Sequence, residues 1–399
     1  MMQWLQQGFS SQTHSFSLWW QGDDGASYDR FYLTLLSLLV CIGVVMVSSA
    51  SMPVAERLVG NPLYYAMRHL AYVSVGIMVG YQVLRIPIQW WHDTNLVWLG
   101  VGLLMLIAVL LVGREVKGST RWIALGPINI QAAEPAKLFF CIYIGSYLVR
   151  RHDEVRDNIK GFLKPMAIMV IFASLLLQQP DLGTVIVLFA IAVALLFLAG
   201  AKLWQFIGLL IAGLICILTL AFTSEYRWRR VTSFLDPWQH KFGDGYQLTQ
   251  SLMAFGRGGL EGQGLGNSVQ KLEYLPEAHT DFIVAVIAEE TGLIGVTVVM
   301  ALLFMLFIRG LMIGKKAIQK GLSYHGFLAY AIATWFGFQT FVNLGVASGV
   351  LPTKGLTLPF ISYGGSSLII MFIAAAIVLR IDFEVRLKGK QAIKARPAR

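Results

Sequence analysis

Across 399 residues the chain is 56% hydrophobic and only 14% charged, with a mean hydropathy of +0.64. Soluble globular domains carry about 25% charged residues, so this composition excludes a soluble enzyme and a disordered chain and leaves a polytopic membrane protein. The net charge of +10 reads as membrane orientation and attraction to anionic lipid, with nucleic-acid binding a poor explanation.

The first 30 residues are polar and mixed, without the basic, apolar and small-residue regions of a cleavable signal. Residues 1–30 therefore read as a cytoplasmic tail, and the first span serves as the membrane address. Crossing roughly 30 Å of hydrocarbon takes about 17 to 25 apolar residues. Runs of that kind centre near Leu39, Val75, Leu104, Ile142, Phe172, Ala190, Leu214, Ala301, Trp335 and Phe372. The expected fold is an all-α polytopic membrane protein of about ten transmembrane helices. Helices 1–7 fall in 31–222, a large extracytoplasmic loop in 223–281, helices 8–10 in 282–381, and a basic cytoplasmic tail in 382–399. Lys and Arg set the orientation: with the N-terminus inside, the inner loops and tails hold 19 of them against 7 in the short outer segments. Both termini then lie in the cytoplasm and the long loop outside. Cys41, Cys141 and Cys216 all sit in apolar spans, a pattern of neither disulfides nor a metal cluster.

The outer segments are too unusual to be mere connectors. The first contains Lys117-Gly118-Ser119-Thr120-Arg121-Trp122-Ile123 and then Glu134-Pro135-Ala136-Lys137. Glu134 and Lys137, three apart, share a face of a helix start and can pair, either to close the helix end or to handle a charged headgroup in a cavity. Gln178-Gln179-Pro180-Asp181-Leu182-Gly183-Thr184 reads as a turn whose aspartate caps the next helix. The loop 223–281 ends in Glu273-Tyr274-Leu275-Pro276-Glu277-Ala278-His279-Thr280-Asp281, directly before an apolar run. A carboxylate held against hydrocarbon costs several kcal/mol, which points to a function, although Asp281 or Thr280 could also simply cap a helix. Residues 345–367 form a Gly/Pro-interrupted stretch, and such backbone at membrane depth must be buried in protein or line a wet cavity. Lys354 within it reads as a phosphate contact or a snorkelling interfacial lysine. Glu289, two helical turns beyond Asp281, is placed to line the same cavity, and Glu290 to pair with another helix.

Taken together, these segments resemble the SEDS family of ten-helix proteins, named for shape, elongation, division and sporulation. The resemblance is carried by Lys-Gly-Ser-x-Arg-Trp-Ile, Gln-Gln-Pro-Asp-Leu-Gly-Thr, Tyr246 to Ala254, Gly262 to Gly266, Pro-Glu-Ala-His-Thr-Asp-Phe-Ile, Leu-Pro-Thr-Lys-Gly and Ile-Ser-Tyr-Gly-Gly-Ser-Ser, over about residues 28–387. The wording of Lys271 to Phe282 and of Leu351 to Leu358 is more similar to division members from Gram-negative rods than to elongation members. Ala132 departs from the family's usual wording, which implies a looser turn before Glu134.

The resemblance implies a peptidoglycan glycosyltransferase that polymerises lipid II outside the inner membrane, at the division septum. An acceptor sugar hydroxyl loses a proton as it attacks the anomeric carbon of the growing chain, and undecaprenyl pyrophosphate leaves. With so good a leaving group one base suffices, and the resemblance identifies Asp281 as that base. Arg121, Lys137, Arg257 and Lys354, with Lys117 beside them, supply cations toward the pyrophosphate. Glu134 orients Lys137, and Glu273 and Glu277 shape the loop around Asp281. There is no His/Cys ligand cluster, and the reading stays open to a Mg or Mn ion held largely by substrate and water. The implied partner is a single-span class B penicillin-binding protein that cross-links the product, with other divisome membrane proteins. Two rival readings are a lipid II flippase and a non-enzymatic scaffold; clustering of the polar motifs on the outer side favours a reaction site there over a path through both faces.

Overall fold

The computed structural model describes residues 28–116, 119–125, 128–222, 225–352 and 355–394. The helices are α1 (Arg30–Val59), α2 (Tyr64–Val83), the short α3 (Ile88–Asp93), α4 (Asn95–Val112), α5 (Ala133–Arg150), the short α6 (His152–Asp157) and α7 (Ile159–Gln178). They continue with α8 (Leu182–Leu198), α9 (Leu203–Phe222), α10 (Glu225–Leu235), α11 (Tyr246–Gly258), α12 (Ile283–Gln319), α13 (Ser323–Ala347) and α14 (Gly365–Lys394). Each of the ten expected span centres falls inside a helix of 17 to 37 residues. Five of these, α1, α4, α7, α12 and α13, are long and apolar enough to cross a membrane by length and composition.

Burial separates the centre of the bundle from its periphery. Every residue of α5 from Ala133 to Leu148 is buried, including Glu134 and Lys137, as expected of a helix in contact with others on all sides. By contrast, α4 turns Leu104 and Leu111 outward, which suits a hydrocarbon environment. Helices α12 and α13 approach closely through small residues: a Cβ added at Gly310 would lie 2.9 Å from the Ala333 Cβ, and one at Gly326 3.0 Å from the Gly314 carbonyl oxygen. Close approach of this kind is how helices pack where the hydrophobic effect no longer discriminates.

The one β-sheet, among the described residues, lies between α4 and α5. There β1 (Arg114–Val116), β2 (Ser119–Leu125) and β3 (Ile128–Gln131) form an antiparallel sheet in the order β1-β2-β3. Trp122 pairs with Gln131 and Ile123 with Ile130. The turn ahead of Glu134 is not loose: Ala132 and Ala133 are fully buried, and the Ala132 carbonyl accepts the Ala136 amide at 3.2 Å. Alanine there is small enough to be enclosed.

The loop 223–281 contributes α10, α11 and a single π turn, Gln270–Tyr274. Helix α14 runs on to Lys394, so the first part of the region read as a tail is helical. At one end of the bundle the two described chain ends meet. Asp29 caps α1 through the Tyr32 amide at 2.9 Å, and its Oδ2 lies 2.5 Å from Arg309 of α12 and 3.3 Å from Arg386 of α14.

Candidate functional site

At the opposite end of α12 the chain turns sharply before the helix begins. Glu277 takes a left-handed conformation (φ 59°), and its carbonyl accepts the Thr280 and Phe282 amides at 3.1 and 3.2 Å. Its carboxylate accepts the Thr280 hydroxyl at 2.7 Å. Phe282, not Asp281 or Thr280, stands at the N-cap of α12, and no side-chain cap bond forms there. Asp281 is half-buried. Its carbonyl accepts Asn343 Nδ2 at 2.8 Å, and its carboxylate faces Gly355, where an added Cβ would sit 2.7 Å from Oδ2. Gly355 is thereby brought against the aspartate. Lys354, which immediately precedes Gly355, lies outside the described residues, as does Lys117.

The irregular stretch after α13 hangs on two amides one helical turn apart. Asn343 Nδ2 also donates to the Leu356 carbonyl at 2.6 Å, and Gln339 Nε2 to the Thr357 carbonyl at 2.7 Å. Gln339 Oε1 in turn accepts Lys137 Nζ at 2.9 Å and Trp335 Nε1 at 2.8 Å. Lys137 is wholly buried, 2.9 Å from Glu134 Oε1 and with its ammonium 5.0 Å from the centre of the Trp335 ring. The pairing expected from the three-residue spacing is therefore present. Its members build a continuous path from α5 through α13 to the segment that faces Asp281. Thr357 Oγ1 and Ser367 Oγ, 3.1 Å apart, extend that path to α14.

A second path comes from the sheet. Arg121 on β2 donates to the Gln179 and Pro180 carbonyls at 3.1 and 2.6 Å, joining two of the motifs. Asp181 accepts the Thr184 amide and hydroxyl at 3.2 and 2.8 Å and so caps α8. The Gln131 amide donates to Ser366 Oγ at 3.1 Å, which seats the sheet on the start of α14.

Arg257, Glu273 and the paired glutamates lie along the loop's attachment to the bundle. Arg257 Nη1 is 3.1 Å from Glu289 Oε1, and Glu289 also accepts the Ser268 hydroxyl and the Val269 and Gln270 amides. Glu289 is completely buried, so it organises the loop from within and does not line a cavity shared with Asp281. Glu290 pairs with Lys271 at 2.7 Å and accepts Ser49 Oγ of α1. Glu273, at φ 71°, forms an ion pair with Arg57 at 2.5 Å.

These attachments converge on a break in α12 at Gly292 (φ 66°, ψ −169°). The loop fills the gap in the helix's hydrogen bonding: the Gln263 and Gly264 amides donate to the Glu289 and Glu290 carbonyls at 2.9 and 3.0 Å. The Leu293 and Ile294 amides donate to Gly259 and Leu260 at 2.9 and 3.2 Å. Backbone freed inside a membrane helix must find such partners.

Sequence reasoning missed one group that packs against the loop carrying Asp281. On α2, Arg68 donates to the Tyr64 and Tyr72 hydroxyls, each at 3.0 Å. The Tyr363 ring lies 6.3 Å from Tyr72 and 5.6 Å from His279, and Tyr65 is 5.3 Å from His279. The Tyr363 amide donates to the His279 carbonyl at 3.0 Å. The four-residue spacing Tyr64, Arg68, Tyr72 was the available signal, as it places all three on one helical stripe.

Comparisons with known proteins agree with this architecture. The family model for the cell cycle proteins FtsW, RodA and SpoVE matches residues 29–387. A probable peptidoglycan glycosyltransferase FtsW of Alteromonas naphthalenivorans is 57% identical over 92% of this chain and 71% of its own. The protein of the same name from Escherichia coli O6:H1 is 53% identical over 92% of this chain and 88% of its own. Among solved structures, a peptidoglycan synthase complex, described for its coordination of polymerization and crosslinking, matches with TM-score 0.73 and 28% identity over 90% of this chain and 98% of the matched one. A variant of the rod shape determining protein RodA of Thermus thermophilus matches with TM-score 0.66 and 26% identity over 89% and 97%. The chain belongs to the FtsW, RodA and SpoVE family of cell cycle proteins.

Proposed function

We propose that the protein is a peptidoglycan glycosyltransferase that polymerises lipid II, with Asp281 as the general base. The observation that carries the reading is the setting of Asp281. It is half-buried where a loop meets α12, does not occupy that helix's N-cap, and faces a glycine that directly follows Lys354. A half-buried base positioned by its backbone suits removal of a hydroxyl proton beside a departing pyrophosphate. The names of the relatives support the reaction class.

The roles of the surrounding residues follow from their partners. Lys137 is enclosed by Glu134, Gln339 and Trp335, so it acts by holding the 355–358 segment in place. Arg121 holds the Gln179-Pro180 turn. Arg257, Glu273 and Glu277 fix the loop that delivers Asp281. Lys117 and Lys354 remain the cations assigned to the pyrophosphate, and a Mg or Mn ion would be held chiefly by that group. The polymer would be cross-linked by a class B penicillin-binding protein at the septum, a pairing supported by the likeness to the synthase complex.

The test is lipid II polymerisation by the purified protein with its cognate transpeptidase, read as glycan length on a gel. Glycan from wild type and none from a folded Asp281→Asn variant is the expected result. Equal product from both removes the base assignment, and product from neither returns the flippase and scaffold readings.

A further inference from the structure

We propose that Arg68, held between Tyr64 and Tyr72, binds the diphosphate of the lipid-linked substrate, and that Tyr65, Tyr363 and His279 form the wall against which the attached sugar lies. The proposal deepens the polymerase reading and rests on it for the identity of the ligand.

The geometry is that of a fixed anion receptor. A lone arginine near a helix end ordinarily snorkels, trading orientation for solvent. Arg68 instead donates from Nη1 to Tyr64 and from Nη2 to Tyr72, each at 3.0 Å, with its guanidinium carbon 5.6 and 5.9 Å from the two ring centres. Its fork is therefore aimed before any ligand arrives, which suits the planar, paired oxygens of a phosphate ester. The residue is only partly buried, so an anion can reach it.

Aromatic contacts connect the receptor to the loop that carries the base. Tyr363 contacts Tyr72, Tyr65 and His279, and His279 stands two residues before Asp281. Glycine at 365 permits the close approach, since a Cβ there would lie 2.7 Å from a Tyr72 ring carbon. Gly365 thus lets Tyr72 lie over the start of α14. Sugar rings present C–H faces to aromatic rings, while a diphosphate one bond away needs cations. Here both features meet the loop that carries Asp281.

An arginine serving only bulk phospholipid headgroups would meet the same phosphate chemistry, and the experiment separates the two. Full-length protein in nanodiscs, with and without phosphatidylglycerol, is titrated with radiolabelled undecaprenyl diphosphate, and thermal unfolding is recorded for every variant. Arg68→Ala is expected to weaken binding roughly 10-fold to 100-fold in both bilayers. Arg68→Lys, which keeps the charge without the fork, should fall between, and Tyr72→Phe should weaken binding several-fold through loss of one orienting bond. Asp281→Asn should bind no more weakly than wild type.

Binding within about twofold of wild type for Arg68→Lys and Tyr72→Phe overturns the proposal even if Arg68→Ala fails to fold. An Arg68→Ala deficit confined to anionic bilayers overturns it in favour of a headgroup anchor. Polymerisation is assayed on the same samples. Glycan synthesis with Arg68-independent binding removes this inference alone, whereas Arg68-dependent binding by a wild type that makes no glycan removes the polymerase reading.

Discussion

Gly355 shows how tightly the site is drawn at the level of single residues. A methyl group there would lie 2.7 Å from Asp281 Oδ2, a contact relieved by rotation of the short aspartate side chain. Gly355→Ala should therefore leave the melting temperature nearly unchanged and lower the polymerisation rate by tenfold or more, since displacement of a reacting group by about 1 Å can cost on the order of 100-fold. Lys137 predicts the opposite pattern. Removing one member of a buried ion pair leaves the other uncompensated, at about 3–5 kcal/mol, so Lys137→Met should lower thermal stability strongly. Glu134→Gln with Lys137→Met should recover much of that loss, which calorimetry or a fluorescence melt would measure. The Glu134–Lys137 pair was legible in the sequence because its members are three apart. Gln339, which completes it, was not, because its partners are distant in the chain and an amide within an apolar span carries no motif. Asp281 was legible by its place before an apolar run, whereas the Arg68 group was hidden inside what reads as an ordinary second span.

At the scale of elements the lesson differs between helices and their interruptions. The helices at all ten expected centres were legible, since twenty apolar residues leave little alternative to a helix. The three-stranded sheet was not, because strands of 3 to 7 residues between two spans look like connectors. The break in α12 was also hidden: a single glycine in an apolar helical pattern is a weak signal, and Gly292 acquires its meaning only from Gly259–Gly264 packed against it. Gly292→Ala combines a left-handed backbone with a Cβ 2.3 Å from the Leu260 carbonyl oxygen. It should destabilise by more than about 2 kcal/mol, with loss of protease resistance in both the loop and the second half of α12.

At the scale of the whole molecule, the cluster of Asp29, Arg309 and Arg386 ties α1, α12 and α14 at one end of the bundle. Burial pushes the Asp29 carboxyl up, but bonds from Arg309 and the Tyr32 amide and the Arg309 and Arg386 charges more than offset this, so it titrates below the ordinary carboxylate range. A lowered pKa contributes stability that is complete above the ordinary value and lost as pH falls through the folded-state value. The wild-type melting temperature should accordingly drop as pH falls below about 5 and on through the folded-state value, and Asp29→Asn should melt lower at neutral pH with part of that acid dependence gone. Other contacts add to the same closure: Ser49 of α1 meets Glu290, and Gly43 abuts the Phe360 carbonyl. A chain is made from its N-terminus onward, so α1 reaches the membrane long before Arg309, Phe360 and Arg386 exist. Helix α1 must wait for its cationic partners, first until α12 supplies Arg309 and then until α14 supplies Arg386, so this end of the bundle is seated only after both have been made.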